Sequence, residues 1–148
     1  VTVPAPLDEL PLLVRAGAVL PLLPADVDTL ADYGDPALGL VALRDRPRDL
    51  VLLAFPRGES EARLFSGRER VRSIEGDESW ELAVDARRRR TFDLQASLAT
   101  LVQPFVPCTV EWRGKALASE AWSYDAERGL LRARFTGRRG RLLVRGCG

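Results

Sequence analysis

Residues 79–98 read SWELAVDARRRRTFDLQASL, and their alternation decides the fold class. Trp80, Leu82, Val84 and Ala86, then Phe92, Leu94, Ala96 and Leu98, occupy every second position, with Glu81, Asp85, Asp93 and Gln95 between them. A period of two places alternate side chains on opposite faces of an extended chain, so these are strands with one apolar and one wet face. The run of four arginines, Arg87 to Arg90, separates two such strands and is expected to form a turn.

Working outward, the same alternation extends upstream through Ala62, Leu64, Val71 and Ile74, punctuated by Gly67 and by Gly76-Asp77. Downstream, residues 99–107 (ATLVQPFVP) break the rhythm with Pro104 and Pro107, which suits a linker or a crossing between sheets. Thr109 to Trp112, Trp122 to Tyr124, Leu130 to Phe135 and Leu142 to Val144 follow as strand candidates, with turns at Arg113-Gly114 and Glu127 to Gly129. Toward the N-terminus, Leu38 to Leu43 and Leu50 to Phe55 flank a charged, proline-containing RDRPRD and are expected to pair antiparallel in mid-sheet. Short strands at intervals of about 8–12 residues, with scarcely any helical period, predict an all-β antiparallel sandwich. A division into two small packed β subdomains near residues 99–107 is the alternative.

The 148 residues suffice for a core that needs neither metals nor disulfides. Composition excludes several functions. The net charge is +1, and the arginine run is the one basic cluster, so a nucleic-acid partner is not expected. No stretch of 18 apolar residues predicts a membrane span, and no signal-peptide pattern is present. Without histidine, Ser-His-Asp and Cys-His catalysis and imidazole metal sites are excluded. No phosphate loop or dinucleotide fingerprint appears, and no cofactor is expected. Asp26, Asp28, Asp32 and Asp35 miss the EF-hand spacing, because Leu30 takes the third ligand position and no glutamate closes the loop. No metal site is therefore predicted. Cys108 and Cys147 are too few for zinc and leave open either a disulfide or two thiols.

Residues 4–24, PAPLDELPLLVRAGAVLPLLP, are the most informative about function. Pro11 and Pro21 forbid a continuous helix, and the segment reads as two buried strands, Leu12 to Val14 and Val19-Leu20, with a turn at Gly17. The order Pro6-Leu7, Pro11, Arg15-Ala16-Gly17, Pro21 resembles the join between the catalytic barrel and the C-terminal β-sandwich region of glycoside hydrolase family 31, the family of α-glucosidases and α-xylosidases. The turn Pro56-Arg57-Gly58 agrees with that family, whereas its following Tyr-Glu-Asp-Asp-Gly stretch is replaced here by Leu64-Phe65-Ser66-Gly67.

The resemblance implies a non-catalytic C-terminal β-sandwich spanning residues 1–148, which braces its own catalytic barrel in a longer protein. The absence of methionine and the opening on Val1-Thr2-Val3 fit a piece of a longer chain. Family 31 enzymes carry their paired carboxylates on barrel strands, and a barrel needs about 250 residues of alternating strand and helix. The segment alone should therefore catalyse nothing. Its apolar face from Leu10 to Pro24 should be exposed without the barrel and could dimerise.

The alternative is an autonomous carbohydrate-binding module. Trp122 and Tyr124 fall on one side of a strand and are the candidate carbohydrate-binding residues. Leu131, Ala133 and Phe135, across the expected hairpin, offer them apolar partners and so favour a core role.

Overall fold

The computed structural model describes residues 13–24, 48–64 and 68–147. Nine strands follow in order: β1 (Val19–Leu22), β2 (Asp49–Ala54), β3 (Glu59–Leu64), β4 (Glu69–Gly76), β5 (Ser79–Ser97), β6 (Pro107–Trp112), β7 (Lys115–Ala116), β8 (Trp122–Asp125) and β9 (Leu130–Gly146). Single 3-10 turns at Leu98–Thr100 and Ser119–Ala121 interrupt them, and no helix among the described residues is long and apolar enough to cross a membrane. The fold is all-β and sandwich-like.

Two long strands organise it. β5 and β9 pair antiparallel from Ser79↔Arg145 to Asp85↔Arg139, lose register, and resume from Arg90↔Gly137 to Ser97↔Leu130. Four residues of β5, Ala86 to Arg89, thus face a single residue of β9, Arg138. A bulge of this kind bends both strands and re-aims everything that follows.

Each half of the pair carries its own neighbours. The half at 79–85 and 139–145 extends through β4 to β3 on one side and through β6 to β7 on the other. The half at 90–97 and 130–137 extends through β2 to β1 and, on the far side, to β8. The two halves face each other across one core, in which Trp80, Leu82, Val110 and Leu142 join Leu50, Leu52, Phe92 and Leu131. Trp112 of the first half meets Phe135 of the second at a tilt, with ring centroids 4.5 Å apart, and Phe135 stacks on Phe92 at 5.2 Å.

The arginine run therefore does not end a strand, as the sequence had suggested. β5 continues through it, and the apolar phase of Trp80 to Ala86 is kept by Arg90, Phe92 and Leu94. Arg90 is buried because Glu69 of β4 is buried beside it, with side chains only 5% and 6% exposed and N–O separations of 2.8–3.1 Å. The same carboxylate accepts the Arg87 backbone N–H at 2.8 Å, so one acid holds both ends of the bend.

Three further expectations change. β2 pairs antiparallel with β1 but parallel with β5, so the sheet is mixed. Residues 38–43, the partner expected for β2, lie outside the described residues, as do Leu12, Phe65 to Gly67 and the four aspartates at 26, 28, 32 and 35. Leu13 and Val14 are not in a strand, and Leu13 is exposed, whereas Gly17 does make its turn with φ at 93°. Finally, the two strands expected at 130–135 and 142–144 are one strand, β9. Its midpoint is glycine for a steric reason: a Cβ on Gly137 would sit 2.5 Å from the Trp112 indole, and one on Gly140 2.9 Å from it. Cys108 and Cys147 form a disulfide with Cα atoms 5.0 Å apart, tying the start of β6 to the residue after β9.

Candidate functional site

The bend at Arg87 to Arg90 closes one end of the sandwich. At the opposite, open end the chain passes between the two halves by way of residues 55–58 and 98–106, and the segment 13–18 reaches β1 there.

These loops are joined by specific hydrogen bonds. Gly17 N–H donates to Phe55 O, and Phe55 N–H to Ala18 O at 2.9 Å. Thr100 Oγ1 donates toward Pro56 O and Ser97 O, 2.8 Å from each. Glu75, near the end of β4, is the hub. Its Oε2 accepts the Gly58 N–H at 2.6 Å, while Oε1 accepts those of Val102 at 2.6 Å and Gln103 at 3.4 Å. An ionised carboxylate makes such bonds roughly twice as strong as neutral ones. Nothing in the local sequence around Glu75 marks it, because its partners come from loops 17 residues before it and 27 and 28 after it.

The loop held in this way presents apolar side chains to solvent. Of the four exposed large hydrophobic residues among those described, Val102 (63%), Val106 (57%) and Leu13 (78%) lie at this end, and Leu22 (43%) lies at the other end of β1. Residues 15–19, 57 and 59–62 line a cleft of about 420 Å³.

The predicted exposure of residues 10–24 is thus present at Leu13 and Leu22, but not at Val19, which is buried against Ala54. Leu20 and Leu22 stand opposite Leu53 and Val51 on the outer face of the sheet, where they form a half-exposed aliphatic strip.

Trp122 and Tyr124 are both half-buried and packed against the core, opposite Ala133 and Leu131. Trp122 also lines a shallow outer cleft of about 260 Å³ with Asp93, Gln95, Glu120, Arg132 and Arg134, whereas Tyr124 does not. Asp93 and Arg134 pair there at 3.5 Å. The two aromatics therefore make no continuous exposed platform.

Paired carboxylates suited to glycoside chemistry would stand free in a cleft on either side of the bond to be cut. Here Glu69 is bound by Arg90 and Glu75 by backbone amides, while Glu59 and Glu61, which do line the cleft beside β1, face Arg72 at 2.7 Å and Arg70 at 3.9 Å. Among the described residues no group of three or more acidic, cysteine or histidine side chains could hold a metal ion.

The architecture is similar to part of a solved enzyme, a glycoside hydrolase family 31 dextranase from Flavobacterium johnsoniae determined with glucose. The superposition covers 90% of this chain and 19% of the dextranase, with a TM-score of 0.58 and 14% sequence identity. The likeness is one of fold. This chain thus spans about a fifth of that enzyme's length. No protein-family model and no curated protein sequence matches the chain.

Proposed function

We propose that this chain is a non-catalytic β-sandwich region of a family 31-like α-glycoside hydrolase, in which it braces the catalytic barrel as the C-terminal domain. The observation that carries the reading is the coverage. Nine-tenths of this chain superposes on one-fifth of a glycoside hydrolase that is several times longer. The motif Arg15-Ala16-Gly17 with its flanking prolines, similar to that family's barrel-to-sandwich join, supports it from the sequence.

In this role the domain does no bond chemistry. It supplies a stiff surface, built on the β5–β9 pair, against which a barrel can keep its shape. An autonomous sugar-binding role fits the geometry less well, since Tyr124 lies away from the outer cleft and Trp122 leans on the core.

The test compares the 148-residue chain with the product of its native reading frame extended upstream, using an aryl α-glucoside and an aryl α-xyloside. The extended protein is expected to hydrolyse one of them and the isolated chain neither. Turnover by the isolated chain, or an upstream region without alternating strands and helices, overturns the proposal.

A further inference from the structure

We propose that the closed end of the sandwich binds an acidic polysaccharide, held by the arginines that the β5–β9 bulge turns outward. That the ligand is anionic rests on these residues; that it is a sugar chain rests on the reading of the protein as part of a glycoside hydrolase.

In an unbroken strand the side chain of Arg88 would point inward with Ala86 and Arg90. The bulge prevents this, and Arg87, Arg88 and Arg89 are all exposed. Re-aiming side chains in this way is what bulges do. Exposed Arg138 stands opposite them on β9. Arg68, also exposed, immediately precedes Glu69, whose carboxylate holds the Arg87 N–H. Arg113, in the turn after β6, reaches the same region, since its Cγ lies 2.6 Å from where a Cβ on Gly140 would stand. Segments far apart in sequence thus deliver exposed arginines to one end, of which the sequence shows only the consecutive ones.

These charges are unmatched. None of Arg68, Arg87, Arg88, Arg89, Arg113 and Arg138 forms an ion pair among the described residues. Along β9, by contrast, Arg134, Arg141 and Arg145 each face an acid of a neighbouring strand at 3.5–3.9 Å. The acids at the bent end are already occupied or balanced: Glu69 is buried against Arg90, Asp85 is bonded to Arg139, and Asp49 follows exposed Arg48. The whole chain carries a net charge of only +1, so the excess is a local separation of charge and not a general basicity.

Like charges on facing positions repel, so the rim works against the fold unless an anion lies across it. Guanidinium forks suit carboxylate and sulfate groups, to which they donate two parallel N–H bonds. A polymer with an anionic group on each repeat engages several arginines at once, and linked contacts reinforce one another. Among the described residues no exposed aromatic side chain lies in these segments to stack a nucleobase. The exposed large apolar residues Leu13, Leu22, Val102 and Val106 belong to other segments, so nothing here would enter a bilayer. A charged sugar chain needs neither feature.

The experiment titrates sodium polygalacturonate, dextran sulfate and uncharged dextran into the 148-residue chain by calorimetry. Both charged polymers are expected to bind and dextran is not. Raising NaCl from about 50 to about 200 mM should weaken binding by at least about tenfold, because released counterions and screening both oppose it. The variant R87E/R88E/R89E should lose at least about tenfold in affinity and keep its circular dichroism spectrum, since all three side chains are exposed. R15E/R57E/R132E makes the same change in net charge at exposed arginines elsewhere and should stay within about threefold of the parent chain. R113Q/R138Q, which leaves the consecutive run intact, should weaken binding by about threefold or more, and it decides the matter if the first variant does not fold.

Equal losses in the two triple variants would make the effect one of net charge and overturn the assignment of the face. Duplex DNA or phosphatidylserine vesicles that bind more tightly than either charged polysaccharide overturn the choice of occupant. No binding of any polyanion at the lower salt concentration overturns the surface itself. None of these results touches the accessory-domain reading, which requires no charged ligand and fails instead on the aryl glycoside comparison.

Discussion

Glu69→Ala removes the acid that holds the bend of β5, and the structure sets the scale of the effect. Arg90 would be left 5% exposed with its principal counter-charge gone, and the Arg87 N–H would lose its 2.8 Å acceptor. Removing one partner of a buried ion pair costs about 3–5 kcal/mol, since the survivor stays desolvated. An unsatisfied buried amide costs about 1–3 kcal/mol, and the two losses overlap, because a bend that relaxes lets water reach both groups. The expected loss is therefore about 4 kcal/mol, a large share of the 5–15 kcal/mol that holds a typical domain folded. Replacing both partners, as in E69L/R90M, removes the stranded charge and should recover all but the amide's share. Urea unfolding followed by circular dichroism gives each value, with m held equal across the series. A loss below about 1 kcal/mol for Glu69→Ala, the range of an exposed pair, or strictly additive single variants, would refute the idea that this pair governs the bend.

Other outcomes follow from the same structure. Gly137→Ala should destabilise by about 1–3 kcal/mol, as overpacking does, because its Cβ would meet the Trp112 indole at 2.5 Å; thermal unfolding of the variant measures this. Reducing the Cys108–Cys147 disulfide, which closes a separation of 39 residues, should cost about 2–4 kcal/mol, read as the difference between urea curves with and without dithiothreitol. Trp80→Ala, which empties a fully buried site and strands the Ser73 hydroxyl bonded to it at 2.8 Å, should cost about 3–5 kcal/mol, and Trp122→Ala, only half-buried, about 1–2 kcal/mol. Maltotriose should leave the tryptophan emission unchanged; a saturable shift that disappears in Trp122→Ala would make the outer cleft a sugar site.

The alternation from Trp80 to Leu98 was enough to read the all-β class and even the phase of β5, because the period of two is a property of the backbone itself. What misled was local chemistry at the bend. Four arginines look like a solvated turn, and only the arrival of Glu69 from another strand makes the fourth of them a core residue. The strand candidates ending at Phe135 and starting at Leu142 leave a gap that holds Gly137 and Gly140, and these are the space into which Trp112 packs from β6. The parallel pairing of β2 with β5 has no signature in either strand, since the same alternation serves both directions. Trp122 and Tyr124 were legible as strand residues with apolar partners among Leu131, Ala133 and Phe135, and they lie opposite the first two of these. Glu75 was not legible at all: a carboxylate that gathers amides from two distant loops looks, in sequence, like any acid at a strand end.

The most direct test of the account is backbone hydrogen exchange in the 148-residue chain, with and without the separately produced upstream polypeptide. The account predicts added protection over a contiguous part of this chain's surface. Exchange unchanged throughout would contradict it.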